Sequence, residues 1–222
     1  MTEARHESKS KLLDAALHVI RAKGYTATRV EDICETAGLT KGSFFHHFKS
    51  KEDLALEAAA YWESNTSSLF EAAEYHNHPT ALERILAYVD FRKALIRGDL
   101  PEFTCLVGTM VQEIYDTEPA IREACRKSIC GHAATLEEDI AEAMRDSAIQ
   151  GNWTAESLAL HTQTVIQGAF ILAKAKGSPE IAVQSLDHLR RYIELLFSTS
   201  EANSAHKPSP AKERICAPHA QP

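Results

Sequence analysis

Residues 40–51 concentrate side chains that donate hydrogen bonds or carry positive charge. The stretch reads Thr-Lys-Gly-Ser-Phe-Phe-His-His-Phe-Lys-Ser-Lys. Hydroxyl, imidazole and ammonium groups of this kind bind the phosphate oxygens and base edges of nucleic acids. Phe44 and Phe48 are four residues apart, so on a helix they point to the same side and leave the polar residues on the other. The pattern predicts a short helix with an apolar inner face and an outer face suited to DNA.

A second short helix is predicted directly before this one. Its apolar residues recur at helical spacing, namely Val30, Ile33, Cys34 and Ala37. Two residue pairs could cap its start, Thr28 with Glu31 or Arg29 with Asp32. Gly38 suits the left-handed conformation that ends a helix, and Thr40 is a good N-cap for the next one. Helix, glycine turn and helix form the helix-turn-helix arrangement, whose second helix enters the DNA major groove.

The chemistry of these residues predicts individual DNA contacts. Lys41 and Ser43 lie in the first turn of the second helix, where side chains reach base edges, and His46 is a further groove residue. We expect phosphate contacts from Thr40, His47 and Lys51. The predicted DNA-binding set is Thr28, Arg29, Thr40, Lys41, Ser43, Phe45, His46, His47 and Lys51.

Charge is distributed unevenly along the chain, whose net charge is -7. Residues 1–51 contain nine Lys or Arg against six Asp or Glu, which gives +3. The remaining 171 residues contain 15 basic against 25 acidic side chains, which gives -10. This asymmetry predicts a nucleic-acid-binding face on an acidic body, and binding that weakens with salt.

The stretch from Asp32 to Lys51 resembles the DNA-binding signature of TetR-family transcriptional regulators of the TetR/AcrR type. The resemblance is carried by Asp32-Ile33-Cys34, Ala37-Gly38-Leu39-Thr40-Lys41-Gly42, Phe45-His46-His47-Phe48 and Lys51. It implies a sequence-specific DNA-binding transcriptional regulator. The favoured form is a homodimeric repressor that a small-molecule inducer releases from its operator. The family usually has tyrosine where Phe45 stands, so we expect an apolar contact, for example to a thymine methyl group, in place of a hydroxyl bonded to phosphate.

The remaining chain predicts helices throughout, and hence an all-α protein. We expect a three-helix helix-turn-helix domain over residues 1–51, a helical-bundle ligand-binding and dimerisation domain over residues 52–198, and a disordered tail over residues 199–222. The first helix should start near Glu7, and the longest should run from Pro119 to Gln150. By the resemblance, the last two helices form the homodimer interface, so that a two-fold dimer presents two reading helices to a palindromic operator of double-stranded DNA.

Helix bundles hold ligands among facing side chains, so the body should enclose a pocket for the inducer. The candidate lining residues are Trp62, Phe103, Cys105, Met110, Tyr115, His132, His161, Gln167 and Phe170. The segment around Cys105 resembles the start of the sixth helix in a TetR subset related to the NemR and AcuR regulators, some of which respond to electrophiles. A thiol near a helix N-terminus gains thiolate character, but Glu102 opposes it, and a structural role for Cys105 is favoured over sensing.

Other functions have little support in the sequence. It contains no GxSxG, HExxH or phosphate-binding glycine loop, so we expect no enzyme. Five cysteines without a CxxC pair, together with histidine pairs that no further ligand joins, predict neither cofactor nor metal. No long apolar stretch is present, so we expect no membrane partner and a cytoplasmic location. The alternatives are a helical ligand-binding or enzymatic protein with a purely structural helix-turn-helix, and an activator or sequence-blind DNA binder.

Overall fold

The computed structural model describes residues 2–149 and 151–198, and every regular element within them is helical. The α-helices are α1 (Thr2–Lys23), α2 (Val30–Ala37), α3 (Lys41–His47), α4 (Lys51–Glu71), α5 (Ala81–Ala94), α6 (Leu100–Phe103), α7 (Leu106–Ile114), α8 (Pro119–Ala134), α9 (Glu137–Asp146), α10 (Ala155–Lys176) and α11 (Glu180–Ser198). A short 3-10 helix, Glu74–Asn77, links α4 to α5. The predicted all-α class is confirmed, whereas the predicted disordered tail, residues 199–222, lies outside the described residues.

Local capping explains the two short helices α2 and α3. The backbone N–H of Arg29 donates to Asp32 Oδ2 at 2.7 Å, so the second of the two predicted pairs starts α2. Gly38 ends α2 with a φ of +65°, in the left-handed region that favours glycine. Thr40 Oγ1 accepts the N–H of Ser43 at 3.2 Å and starts α3. The helix-turn-helix is therefore formed by residues that are close in sequence.

Two of the predicted helix boundaries are wrong. Helix α1 starts at Thr2 rather than near Glu7. The single helix expected from Pro119 to Gln150 is divided into α8 and α9, because the chain bends at Thr135, whose hydroxyl donates to the carbonyl of His132 at 2.8 Å. The bend lets the two halves pack differently, with α8 against α4 and α7 and α9 against α5.

Two hydrophobic cores share the interior. The first joins α1–α4 to α7 and the start of α8, and its fully buried members include Leu12, Ile20, Ile33, Phe44, Leu54, Met110 and Ile121. The second joins the end of α4 to α5, α9, α10 and α11. Cys105 packs against both cores. Helix α7 of the body thus packs against α1 of the helix-turn-helix domain. None of the helices in the described ranges is long and apolar enough to cross a membrane.

Candidate DNA-binding surface and ligand cavity

The outer face of α3 is exposed because its inner face is anchored in the first core. Phe44 and Phe48 are buried, and their ring centroids lie 5.5 Å apart. Opposite them, Lys41 and His46 are exposed, and Phe45 has 58% of its surface exposed. An unburied aromatic ring beside an ammonium and an imidazole is a surface that can contact both bases and phosphates.

Lys41 forms an ion pair with Glu31 of α2. The hydrogen bond from Lys41 lowers the pKa of the Glu31 carboxyl below its ordinary value. Both side chains are more than half exposed, and exposed ion pairs are weak. The Lys41 ammonium can therefore exchange this carboxylate for a phosphate or a base edge.

Four other predicted DNA-binding residues lie around α3, and some of them also contribute to the fold. Thr40 and Ser43 form the N-terminal cap of α3, and Thr40 remains exposed. His47 is half-buried, and its Nε2 lies 2.8 Å from the Ser8 hydroxyl, which joins the end of α3 to α1. Arg29 is exposed at the start of α2.

The last two predicted DNA-binding residues, Thr28 and Lys51, stabilise the turn between α1 and α2. Thr28 is 1% exposed, and its hydroxyl donates to the carbonyl of Gly24. Lys51 Nζ donates to the carbonyls of Tyr25 and Thr28 at 3.1 Å each and lies 4.3 Å from the centroid of the Tyr25 ring. The side chain of Thr28 is thus enclosed in the turn, and the Lys51 ammonium is engaged by backbone carbonyls.

The sequence did not indicate Glu113 of α7, which contacts the same turn. Its Oε1 accepts the N–H of Tyr25 at 3.1 Å, and its Oε2 accepts the N–H of Thr26 at 2.8 Å. Gly24 beside it has a φ of +88°, and a Cβ at Gly24 would overlap the Glu113 carboxylate. The carboxylate therefore joins the body to the turn that leads into α2.

A cavity of about 290 Å³ lies between α1, α4, α5, α6, α7, α8 and α10. The structure brings six of the nine predicted pocket residues to its wall, namely Trp62, Phe103, Cys105, His132, Gln167 and Phe170. The other three lie elsewhere. Met110 is fully buried in the first core, and Tyr115 is 60% exposed at the end of α7. His161 is exposed on α10, where its ring packs edge-to-face against Tyr192.

A chain of neutral polar groups crosses the cavity wall. Gln163 Nε2 donates to the hydroxyl of Tyr88 at 3.1 Å, and that hydroxyl lies 2.9 Å from His132 Nε2. Burial, helped by the positive charge of Arg92, lowers the pKa of His132 to about 3. His132 is thus uncharged at neutral pH, and its Nε2 shares a hydrogen bond with the Tyr88 hydroxyl. The sequence missed Arg21, Arg92 and Gln163 on this wall.

Cys105 is a half-buried free thiol at the start of α7. Its Sγ accepts the N–H of Gly108 at 3.3 Å. It lines both the 290 Å³ cavity and a second cavity of about 340 Å³ that also includes Gly24 and Lys174. Lys174 Nζ donates to the Thr109 hydroxyl at 2.8 Å, and burial lowers the pKa of this lysine. Within the described residues, no cluster of three His, Cys, Asp or Glu side chains could hold a metal ion.

Helices α10 and α11 form an antiparallel hairpin with an exposed apolar face. Gly177 ends α10 with a φ of +64°, and α11 starts three residues later. The exposed large apolar side chains of the hairpin are Leu160, Ile171, Leu172, Tyr192 and Leu195. A face of this composition is typical of a surface that another protein chain covers.

A capped helix-turn-helix with an exposed polar recognition helix, joined to a helical body that encloses a cavity, defines a DNA-binding transcriptional regulator. Residues 12–58 match the family of bacterial regulatory proteins named after TetR, and residues 81–190 match its tetracyclin repressor-like C-terminal domain. The chain belongs to the TetR family.

Individual relatives and solved structures agree with this assignment. The uncharacterized HTH-type regulator YvkB of Bacillus subtilis is 33% identical over 134 residues, which cover 59% of this chain and 68% of YvkB. The transcriptional regulator AcuR of Cereibacter sphaeroides is 25% identical over 173 residues, or 76% and 77% of the two chains. A cysteine mutant of the TetR-family regulator CifR, solved with 26-bp operator DNA, superposes with a TM-score of 0.68 at 20% identity and covers 82% of this chain and 94% of that one.

Proposed function

We propose that this protein is a homodimeric transcriptional repressor that binds a palindromic operator and is released by a small molecule. In this proposal, residues 1–51 bind DNA, residues 52–198 bind the inducer and dimerise, and the protein acts in the cytoplasm without catalysing a reaction. The observation that carries the proposal is the outer face of α3, where Lys41, Phe45 and His46 are exposed on a helix whose other face is fixed in the core.

The structure supports different roles for the DNA-binding residues, some contacting bases and others contacting phosphates. Base contacts come from the outer face of α3, with Lys41, Ser43, Phe45 and His46. Phosphate contacts come from Arg29, Thr40 and His47 at its margins. We leave the buried Thr28 out of the interface, and we assign Lys51 to positioning, because its ammonium already binds three backbone carbonyls of the α1–α2 turn.

The exposed face of α10 and α11 supports dimerisation through these two helices. Burial of large apolar side chains from two copies would stabilise a four-helix interface. A two-fold axis through that interface would place two copies of α3 about 34 Å apart, one turn of the DNA helix. Each copy would then read one half of a palindromic operator.

The position of the cavity supports control by a ligand. Its wall includes Arg21 of α1, Trp62 of α4 and Cys105 at the start of α7, and α7 reaches the α1–α2 turn through Glu113. A ligand that fits the cavity better in one arrangement of these helices shifts the population toward it. Release follows if the favoured arrangement separates the two α3 helices by a distance that no longer matches the half-sites. An electrophilic inducer would instead react with the Cys105 thiol on the same wall.

The test is fluorescence anisotropy with the DNA upstream of the protein's own coding region, with unrelated DNA in excess. We expect binding that resists the competitor, and at least about fivefold weaker binding by Lys41→Ala, since a base contact contributes about 1–3 kcal/mol. Lys127→Ala is the matched control, because Lys127 is exposed on α8 in the body. Salt-sensitive binding that the competitor removes would instead indicate a sequence-blind DNA binder.

A further inference from the structure

We propose that the 290 Å³ cavity binds a small, mainly apolar organic anion such as a monocarboxylate, and that Arg92 and Arg21 bind its charged group. The proposal specifies the chemical class of the inducer and therefore rests on the proposed function. It follows from four observations: the positions of the two arginines, the absence of an ion pair at either one in the described part of the chain, the apolar remainder of the wall, and the size of the cavity.

Arg21 reaches the cavity from α1. Its Nε donates to the carbonyl of Leu17 at 2.8 Å, and its Nη1 donates to the carbonyl of Glu102 at 3.1 Å. The guanidinium lies 5.2 Å from the ring centroid of Trp62. Burial lowers the pKa of Arg21, although arginine remains charged in proteins. The hydrogen bonds that hold the side chain in place are made to neutral carbonyls, and the Glu102 carboxylate acts on Arg21 through its charge without forming an ion pair with it.

Arg92 reaches the cavity from α5 and lies 5.3 Å from the ring centroid of Phe70. Among the residues that the structure describes, the ion pairs formed by arginine belong to Arg84, Arg126 and Arg190. Neither Arg21 nor Arg92 is in one. A guanidinium carries five N–H donors in a planar fork that matches a carboxylate, so Arg92 retains donors for a ligand.

The remainder of the wall makes an anion the favourable occupant. The aromatic rings of Trp62, Phe70, Phe103 and Phe170 are part of it, and the polar chain around His132 is neutral. Of the cavity residues that the structure describes, Glu102 alone is acidic, and its carboxylate accepts the N–H of Asp99 at 2.7 Å. Two arginines and one glutamate leave a net positive wall. Transfer of positive charge into apolar surroundings is costly unless an anion accompanies it.

Size restricts the ligand further. A volume of about 290 Å³ lies at the lower end of the roughly 300–1,000 Å³ that small-molecule pockets span. The wider groove beside Glu74–Asn77, of about 750 Å³, has the opposite electrostatics, because Glu74, Glu83 and Asp90 line it with a single arginine, Arg190. An apolar anion is therefore expected in the smaller cavity and not in that groove.

The test uses benzoate and its neutral isostere benzamide as probes, with tryptophan fluorescence as the signal. The protein contains two tryptophans, so Trp153→Phe leaves Trp62 on the cavity wall as the reporter. We expect benzoate to change the fluorescence of Trp62 saturably and benzamide to bind at least tenfold more weakly. Equal affinity for the two probes, or no saturable effect of benzoate, would overturn the proposal.

Substitutions of Arg92 test whether this residue causes the preference for benzoate over benzamide. Arg92→Met keeps the aliphatic stem and should abolish the preference for benzoate, whereas Arg92→Lys keeps the charge and should retain part of it. Arg97→Met is the matched control, because Arg97 is exposed and not part of the cavity wall. Unfolding midpoints of all three variants identify any loss of folding. A preference for benzoate that survives in a folded Arg92→Met protein would contradict the assignment.

Operator binding measured on the same samples separates the two proposals. If benzoate saturates Trp62 but no operator is bound, the repressor proposal fails and the anion site stands. If the operator is bound and benzoate has no effect on Trp62, the anion site fails and the repressor proposal stands.

Discussion

Glu113 on α7 is a body side chain that holds the turn in front of α2, so its removal should weaken operator binding. The carboxylate accepts two backbone N–H groups, from Tyr25 at 3.1 Å and from Thr26 at 2.8 Å. Glu113→Ala removes both acceptors at once. Since α2 and α3 follow this turn directly, a looser turn positions the recognition helix less well.

The magnitude can be worked out from these two hydrogen bonds. Each hydrogen bond contributes about 0.5–1.5 kcal/mol in a typical protein setting. Glu113 is exposed, so water can replace the lost acceptor, and the total for both bonds should be about 1 kcal/mol per protomer. A dimer that must order two such turns on DNA loses about 2 kcal/mol, which raises the operator Kd by about thirtyfold.

A double-mutant cycle with Gly24→Ala tests the contact itself. An alanine at the Gly24 φ of +88° is strained by about 1–2 kcal/mol, and its Cβ would also displace the Glu113 carboxylate. In the Glu113→Ala background only the strain remains, so the two substitutions should be coupled by about 1 kcal/mol in the free energy of unfolding. Urea unfolding followed by circular dichroism measures this coupling.

Two results would refute the reasoning. One is additivity of the two substitutions within about 0.3 kcal/mol, which would mean that the Glu113 carboxylate does not stabilise the turn. The other is an unchanged operator Kd for Glu113→Ala measured by anisotropy. Gln112→Ala is the matched control, because the Gln112 amide donates to the carbonyl of Gly108 within its own helix and should leave operator binding intact.

Two further predictions concern the cavity. His132 has a pKa of about 3 in the folded protein and an ordinary pKa of about 6.5 when unfolded, so between these values the unfolded chain binds more protons and stability falls as the pH falls. The free energy of unfolding, measured with urea, should be about 2 kcal/mol lower at pH 5 than at pH 7.5 because of His132. His132→Gln should remove this part of the pH dependence, whereas the exposed His161→Gln should not. An unchanged pH dependence in His132→Gln would contradict the prediction. If the inducer is an electrophile, N-ethylmaleimide should release the protein from its operator, and Cys105→Ser should abolish this release. Cys130→Ser, which removes the exposed thiol of α8, should leave it intact. Release that persists in Cys105→Ser would exclude sensing through the Cys105 thiol.

The helix-turn-helix could be predicted from the sequence because its signals are local. Gly38 ends α2 through its backbone conformation, and Thr40 caps α3 through a residue three positions later. The spacing of Phe44 and Phe48 identifies the inner face of α3. The bend at Thr135 could not be predicted in this way, because the apolar stripe continues through it from α8 into α9. Periodicity gives the face of a helix but not whether the helix is continuous.

The cavity and the turn contacts depend on distant partners, so they were only partly predictable. Met110 and Phe103 are both large apolar residues near α7, yet one fills the first core and the other lines the cavity. Lys51 bonds to carbonyls of the α1–α2 turn more than 20 residues earlier. Arg21 and Arg92 lie on different helices and line the same cavity only in the folded chain. The residue types at these positions indicate which contacts each side chain can make. Tertiary packing determines which residues it contacts.

The most direct test of the account is a hydroxyl-radical footprint of the full protein on its operator. Two protected half-sites are expected, related by two-fold symmetry and about 34 Å apart along one face of the DNA. Lys41→Ala should remove both at a concentration where Lys127→Ala protects them fully. A single asymmetric protected patch, or uniform protection that does not depend on sequence, would contradict the claim that a dimer reads the operator through α3.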